Sequence, residues 1–270
     1  MTARLSAFVY GVLCYLVFFV SFVYSVGFIG DWAVPRSIDR GPEAPLGQAL
    51  LIDAALLGLF AVQHSVMARP AFKRVWTRVV PEPVERATYV LFSSLALLLL
   101  FWQWRPVGGV LWDVEAPAAR GLIHGVYFLG WVLLLASTCM IDHFDLFGLR
   151  QVWRHLQGKA QAGLEFRTPG LYKHIRHPIY LSWFCIFWAT PRMSTAHLVF
   201  AVMTTAYILV AVRFEERDLI RAYGDDYRRY RDRVPMIFPR RRPATPPADA
   251  LAPVPVESPR VADLATKTMF

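Results

Sequence analysis

Residues 5–29 read LSAFVYGVLCYLVFFVSFVYSVGFI, an apolar run with no charged side chain. As a helix it exceeds the ~20 residues that cross the ~30 Å hydrocarbon core of a bilayer. A cleaved secretory leader has a shorter apolar region, ~7–15 residues, ending on a small-x-small cleavage pattern. No such pattern closes this run, so it reads as a retained span. Residues 46–68, 84–104 and 119–141 repeat the same character. The 270-residue chain is 56% hydrophobic and 18% charged, where a soluble domain carries about 25% charged residues. The expectation is an all-α, polytopic membrane bundle.

The formal charge of +9 sorts by loop. Arg69, Lys73, Arg74, Arg78 and Arg86 surround the second connection, and Arg150, Arg154, Lys159, Arg167, Lys173 and Arg176 the fourth. The first and third hold Arg36, Arg40, Arg105 and Arg120 against Asp31, Asp39, Glu43, Asp113 and Glu115. The positive-inside rule then places the even connections and both termini in the cytoplasm, as in a bacterial inner membrane. The basic surplus is read as orientation and attraction to membrane lipid headgroups, with no nucleic acid partner. Cys14, Cys139 and Cys185 fall in apolar stretches and have no metal or redox spacing.

The chain divides into a four-span region, 1–141, a loop, hairpin and helix region, 142–238, and a Pro-rich tail, 239–270, expected to be disordered. Gly121 and Gly125 have the GxxxG spacing of a close helix contact. Pro178 opens an apolar segment of about a dozen residues before Pro191, short for a full crossing. A second apolar helix follows to about Phe214, so five or six passes are expected. A charged, aromatic helix over 213–233 then lies in the cytoplasm.

Polar chemistry concentrates in 171–182, LYKHIRHPIYLS. Proline at the first helical position makes His177 the cap of a helix whose open N–H groups favour an anion. Arg176 adds a charged fork, and Tyr180 a ring and hydroxyl one turn on. Glu215 and Glu216 sit where an apolar hairpin ends, a depth at which charges need partners. Glu216, Ile220, Tyr223, Tyr227 and Tyr230 share one helical stripe. His64 lies inside the second span, and Asp142, His143 and Asp145 at the end of the fourth. These histidines and acids lack a metal-binding spacing, so no metal site is expected. Nor is there a dinucleotide fingerprint, a P-loop or a serine elbow.

Arg176-His177-Pro178-Ile179-Tyr180-Leu181-Ser182, then Glu215-Glu216, Gly224-x-x-Tyr227-x-x-Tyr230 and Val234-Pro235, resemble the C-terminal half of the isoprenylcysteine carboxyl methyltransferase and phospholipid methyltransferase superfamily. The motifs around Gln63-His64-Ser65, Ile141-Asp142-His143 and Phe187-Trp188 are similar to those of the methanethiol S-methyltransferase family, with a weaker likeness to NnrU-type membrane proteins. The resemblance implies S-adenosyl-L-methionine as cofactor, at Arg176, His177, Tyr180, Glu215, Glu216, Tyr227 and Tyr230. Glu215 or Glu216 would meet its ammonium, and Arg176 with the helix end its carboxylate. Ser182 stands where the prenylcysteine enzymes usually have Gly, which weakens the case for a prenyl substrate.

The implied reaction is in-line methyl transfer to a small volatile thiol, methanethiol, giving dimethyl sulfide at the cytoplasmic membrane face. His64 and His143 are the candidate bases, followed by Asp142 and Asp145. Trp183, Phe184 and Phe187 are candidates to line an apolar pocket. Alternatives are methylation of a lipid amine or prenylcysteine carboxylate, an NADPH-dependent reductase of sterol type, and a non-catalytic NnrU-like protein. Oligomeric state is not legible in the sequence.

Overall fold

A computed structural model describes residues 1–161 and 166–238. The expectation for 239–270 falls outside the described residues. In chain order the elements are α1 (Thr2–Gly30), α2 (Leu46–Ala68), α3 (Pro70–Trp76), α4 (Glu82–Gln103), β1 (Val110–Asp113) and α5 (Pro117–Ile141). There follow α6 (His143–Leu146), α7 (Leu149–Leu156), a 3-10 turn (Gly170–Lys173), α8 (Pro178–Trp188), β2 (Arg192–Ser194) and α9 (Thr195–Arg233). Among the described residues α1, α2, α4, α5 and α9 are long and apolar enough to cross a membrane. Leu13, Phe19, Val23, Leu51, Leu122 and Val132 are exposed on them, a surface suited to lipid rather than water. The chain is an integral, multi-pass membrane protein of all-α type.

Local sequence explains where these helices begin. Pro70, Pro117 and Pro178 each occupy a first helical position, where the missing N–H costs nothing and the ring presets φ. Ser194 caps α9 by accepting the His197 N–H at 3.0 Å, and Asp39 in turn accepts the Ser194 hydroxyl.

The short α8 supplies about 16 Å of rise. It leads to β2, which pairs antiparallel with β1, Val110 opposite Ser194 and Asp113 opposite Arg192. The chain therefore reaches the same end of the bundle as the α4–α5 connection. Helix α9 joins the last span and the charged segment into one element, interrupted at Gly224, where φ is 55° and ψ −127°. The stripe expected from Glu216 to Tyr230 thus lies on two helical pieces.

Two groups of helices form the bundle. Helix α4 packs along α1 and α2, and α8 along α5 and α9. Aromatic rings join the groups at the β1–β2 end: Phe200 lies edge-on to Trp104 at 5.6 Å and to Phe187 at 5.4 Å, with Phe28 buried beside Trp104. At the opposite end Phe18 stacks on Phe147 at 3.9 Å. Between these ends the groups separate around a cavity.

Gly121 and Gly125 are exposed and a Cβ on either would meet nothing within 4 Å. The close approach of α5 is instead at Gly130, where a Cβ would lie 2.9 Å from Ile186 Cγ1 and 3.1 Å from the Ser182 carbonyl oxygen. Gly130→Val is expected to lower stability by about 1–3 kcal/mol through overpacking, read as a fall in the melting temperature in detergent. Gly121→Val is the matched control and should melt with the wild type; equal melting of the two variants would refute the α5–α8 contact.

Candidate active site

The RHP segment enters α8 already tied to the chain beyond α9. The Arg176 N–H donates to the Pro235 carbonyl at 2.9 Å and the His177 N–H to that of Met236 at 3.1 Å. The Arg176 side chain completes the clasp. Its Nε donates to Glu216 Oε1 at 2.9 Å, and its Nη1 to the carbonyls of Arg231 and Val234 at 2.6 and 2.8 Å. Nη2 lies 2.8 Å from Glu216 Oε1 and His177 Nε2 3.2 Å from the same oxygen. The Arg176 fork is thus directed to Glu216 and to backbone oxygens, and the amides of Arg176 and His177 to 235–236.

Glu215 points elsewhere. Its Oε2 accepts the Tyr180 hydroxyl at 2.6 Å and lies 3.9 Å from His177 Nδ1. Tyr230 donates its hydroxyl to the Tyr172 carbonyl at 2.6 Å. The hydroxyls of Tyr172 and Tyr227 are buried with no hydrogen-bond partner among the described residues. Burial, with the Glu215 charge nearby, pushes the Tyr172 phenol up, so it stays a donor. Phe166 packs against Tyr223, Tyr227 and Tyr230 with ring centroids 5.1, 5.9 and 5.5 Å away. Phe166, Tyr172, Tyr180, Glu215, Tyr227 and Tyr230 line a pocket of about 20 Å³, roughly the space of one water. Six of the seven expected cofactor positions line it; Glu216 is behind Arg176 and His177. Phe166 and Tyr172 were not singled out from the sequence. Their signal was modest, two aromatic residues in a Gly-punctuated polar loop.

A second cavity of about 400 Å³ lies between the two helix groups. Ile179, Tyr180 and Glu215 line both cavities, so the Tyr180–Glu215 contact forms part of the wall between them. Trp183 and Phe187 line the larger one. Phe184 is partly buried against the core and is not among its lining residues.

His64 and His143 also line the large cavity. His64 Nδ1 is 3.2 Å from Ser93 Oγ, and Tyr89 Oη is 3.0 and 3.1 Å from the two ring nitrogens. His143 Nε2 is 2.9 Å from the Tyr15 hydroxyl and Nδ1 3.0 Å from Thr138 Oγ1. Thr138 already donates to the Leu135 carbonyl, so we assign Nδ1–H as donor to Thr138 and Nε2 as acceptor from Tyr15. Burial holds the His143 imidazole below its ordinary pKa range. Asp142 lines neither cavity. Its Oδ1 caps α6 by accepting the Asp145 N–H at 3.0 Å, and Oδ2 pairs with Arg150.

Two arginines stand at the His64 end of the large cavity. Arg69 donates to Asp218 Oδ2 at 2.7 Å and to the Ser65 carbonyl at 3.0 Å. Arg86, buried, donates to the Leu146 carbonyl at 2.7 Å and lies 5.1 Å from the Tyr89 ring centroid.

A polar pocket and an apolar cavity thus share a wall. A family model described as "Protein of unknown function (DUF1295)" matches residues 70–234. The chain is 53% identical over 260 residues to Methanethiol S-methyltransferase 2 of Bradyrhizobium diazoefficiens, covering 96% of this chain and 100% of the relative. It belongs to the methanethiol S-methyltransferase family. The enzyme of that name from Crocosphaera subtropica is 52% identical over 237 residues, 88% of this chain and 93% of its own. Nurim of Mus musculus is a more distant relative, 33% identical over 180 residues, 63% of this chain and 68% of Nurim. No solved structure matches. As a member of this family the chain is a membrane methyltransferase, which requires a methyl donor.

Glu216→Gln removes the charge shared by Arg176 and His177. Each charged hydrogen bond lost costs about 1.5–3 kcal/mol, so the variant is expected to melt lower. Amide hydrogen exchange at Arg176 and His177 should also accelerate as the 235–236 segment loosens. Wild-type exchange at both amides would show that the backbone pairing does not depend on the clasp.

Proposed function

We propose that this methyltransferase uses S-adenosyl-L-methionine to methylate methanethiol to dimethyl sulfide, at the cytoplasmic end of a bacterial inner-membrane bundle. The observation that carries the reading is the Tyr180–Glu215 wall between a polar, aromatic pocket and an apolar cavity. One side suits a charged nucleoside donor and the other an oily thiol.

The polar side fits the donor chemically. S-adenosyl-L-methionine supplies an electrophilic methyl group on a sulfonium centre. Glu215 offers a buried carboxylate to its positive charge, and the orphaned hydroxyls of Tyr172 and Tyr227 are available to its polar groups. Phe166, Tyr227 and Tyr230 offer ring faces for a base or cation. Arg176 and His177 hold the α8 entrance in place through Glu216. A pocket of about 20 Å³ is much smaller than such a donor, so its walls, the Tyr180–Glu215 contact included, must part for the donor to enter and for its methyl group to meet the thiol. The cytoplasmic placement rests on the basic even connections.

On the thiol side His64 is the better base. Both imidazoles line the cavity with hydroxyl partners, His64 with Tyr89 and Ser93 and His143 with Tyr15 and Thr138, and His64 is the one beside Arg69 and Arg86. Arg69 and Arg86 offset negative charge developing on sulfur, and the aromatic walls exclude water.

Headspace gas chromatography of cells expressing the gene and fed methanethiol should show dimethyl sulfide above an empty-vector control. Its absence, with protein present in the membrane, would overturn the reading. His64→Gln is expected to slow the purified enzyme about 10²–10⁴-fold near neutral pH. That deficit should shrink as rising pH ionises the thiol in solution, because alkaline solvent replaces the base. An undiminished rate with a wild-type pH profile would remove His64 from the mechanism.

A further inference from the structure

The large cavity is out of proportion to a one-carbon thiol. About 400 Å³ lies in the range of sites that enclose drug-sized ligands. The shape is elongated: Arg86 and Phe101, both on α4, both line it, and fifteen helical steps between them span about 22 Å. Its chemistry changes along that length. Glu215, His64, Tyr89 and the two arginines mark one end, while Ile29, Leu100, Phe101 and Phe200 line the other. An occupant with a reactive polar head at the donor wall and an apolar tail toward β1 matches this gradient.

We propose that the enzyme also methylates larger apolar thiols, alkyl or aryl, whose tails fill this slot. The inference rests on the thiol methyltransferase reading above. In the reaction a bond forms between the thiol sulfur and the methyl carbon. The methyl–sulfonium bond breaks with its electron pair left on the donor's sulfur, and the S–H proton passes to His64. The products are an alkyl methyl thioether, the demethylated donor as a neutral thioether, and a proton released from the imidazolium. Each methylene buried in the slot strengthens binding, so KM should fall about fourfold per added carbon until the slot is full.

Gly58 gives access to the slot without touching its reactive end. It lines the cavity on α2, about 9 Å along the helix from His64, and a Cβ there meets nothing within 4 Å. A leucine at this position narrows the tail region.

The test is a chain-length series from methanethiol through ethanethiol to octanethiol, with benzyl thiol. The purified full chain in nanodiscs is supplied with S-adenosyl-L-methionine, and thioethers are measured by gas chromatography and mass spectrometry. Expected is turnover of the longer thiols with KM falling along the series, and a ratio of octanethiol to methanethiol turnover lowered about tenfold in Gly58→Leu, whose side chain takes up the space of at most about four buried carbons of the tail. A second readout needs no methyl donor: octyl methyl sulfide should raise the melting temperature of the wild type and not of Gly58→Leu. Methanethiol turnover with inert longer thiols would overturn the inference and leave the proposed function standing, as would a slot holding a co-purified lipid that octyl methyl sulfide does not displace. Loss of turnover with every thiol, methanethiol included, would overturn both.

Discussion

A guanidinium at the end of an apolar bundle must be paired or it will not stay there. Arg176 meets that demand with Glu216 on α9 and with the carbonyls of Arg231 and Val234 beyond it. The pairing ties together three parts of the chain: the RHP entrance to α8, the charged continuation of the last span, and the Val234-Pro235 segment. Once the clasp is closed, the Pro235 and Met236 carbonyls take the two amides at that entrance. Adjacent carboxylates then acquire different surroundings, because neighbouring positions on a helix point about 100° apart. Glu216 is used in holding the clasp, and Glu215 is turned to Tyr180 and the cavities.

That division matters for chemistry. A carboxylate already satisfied by arginine contributes little charge to a ligand, whereas one held by a tyrosine hydroxyl retains it. Glu215 and Tyr180 stand where the polar pocket and the apolar slot abut, and in the proposed reaction the donor and the thiol meet where this contact opens. The remaining construction serves to keep this wall positioned: α8 is fixed against α5 at Gly130, and the Phe28, Trp104, Phe187 and Phe200 rings close the far end.

The limits of one-dimensional pattern show at particular residues. Gly121 and Gly125 carry the spacing of a helix contact but face outward, while Gly130, with no motif around it, makes the contact. Spacing reports which residues share a face, not which face finds a neighbour. Asp142 looks like a member of an acid–histidine cluster and is a helix cap paired with Arg150. Tyr227 and Tyr230 do reach the pocket, on a helix broken by Gly224. Phe166 and Tyr172 reach it from a loop with no periodicity to announce them.

The membrane-embedded, helical character of the chain and the sites where its helices begin were determined by the sequence alone, and the RHP, Glu-Glu and Tyr motifs were legible in it as candidate positions. Each depends on hydropathy, proline or motif order within a short window. Only the tertiary structure decided that Arg176 is committed to Glu216, that His64 and His143 share one cavity with Tyr180, and that this cavity extends far past what a small thiol needs. A cavity is bounded by helices distant in sequence, and its volume is set by how closely their side chains approach, a quantity that no local pattern encodes.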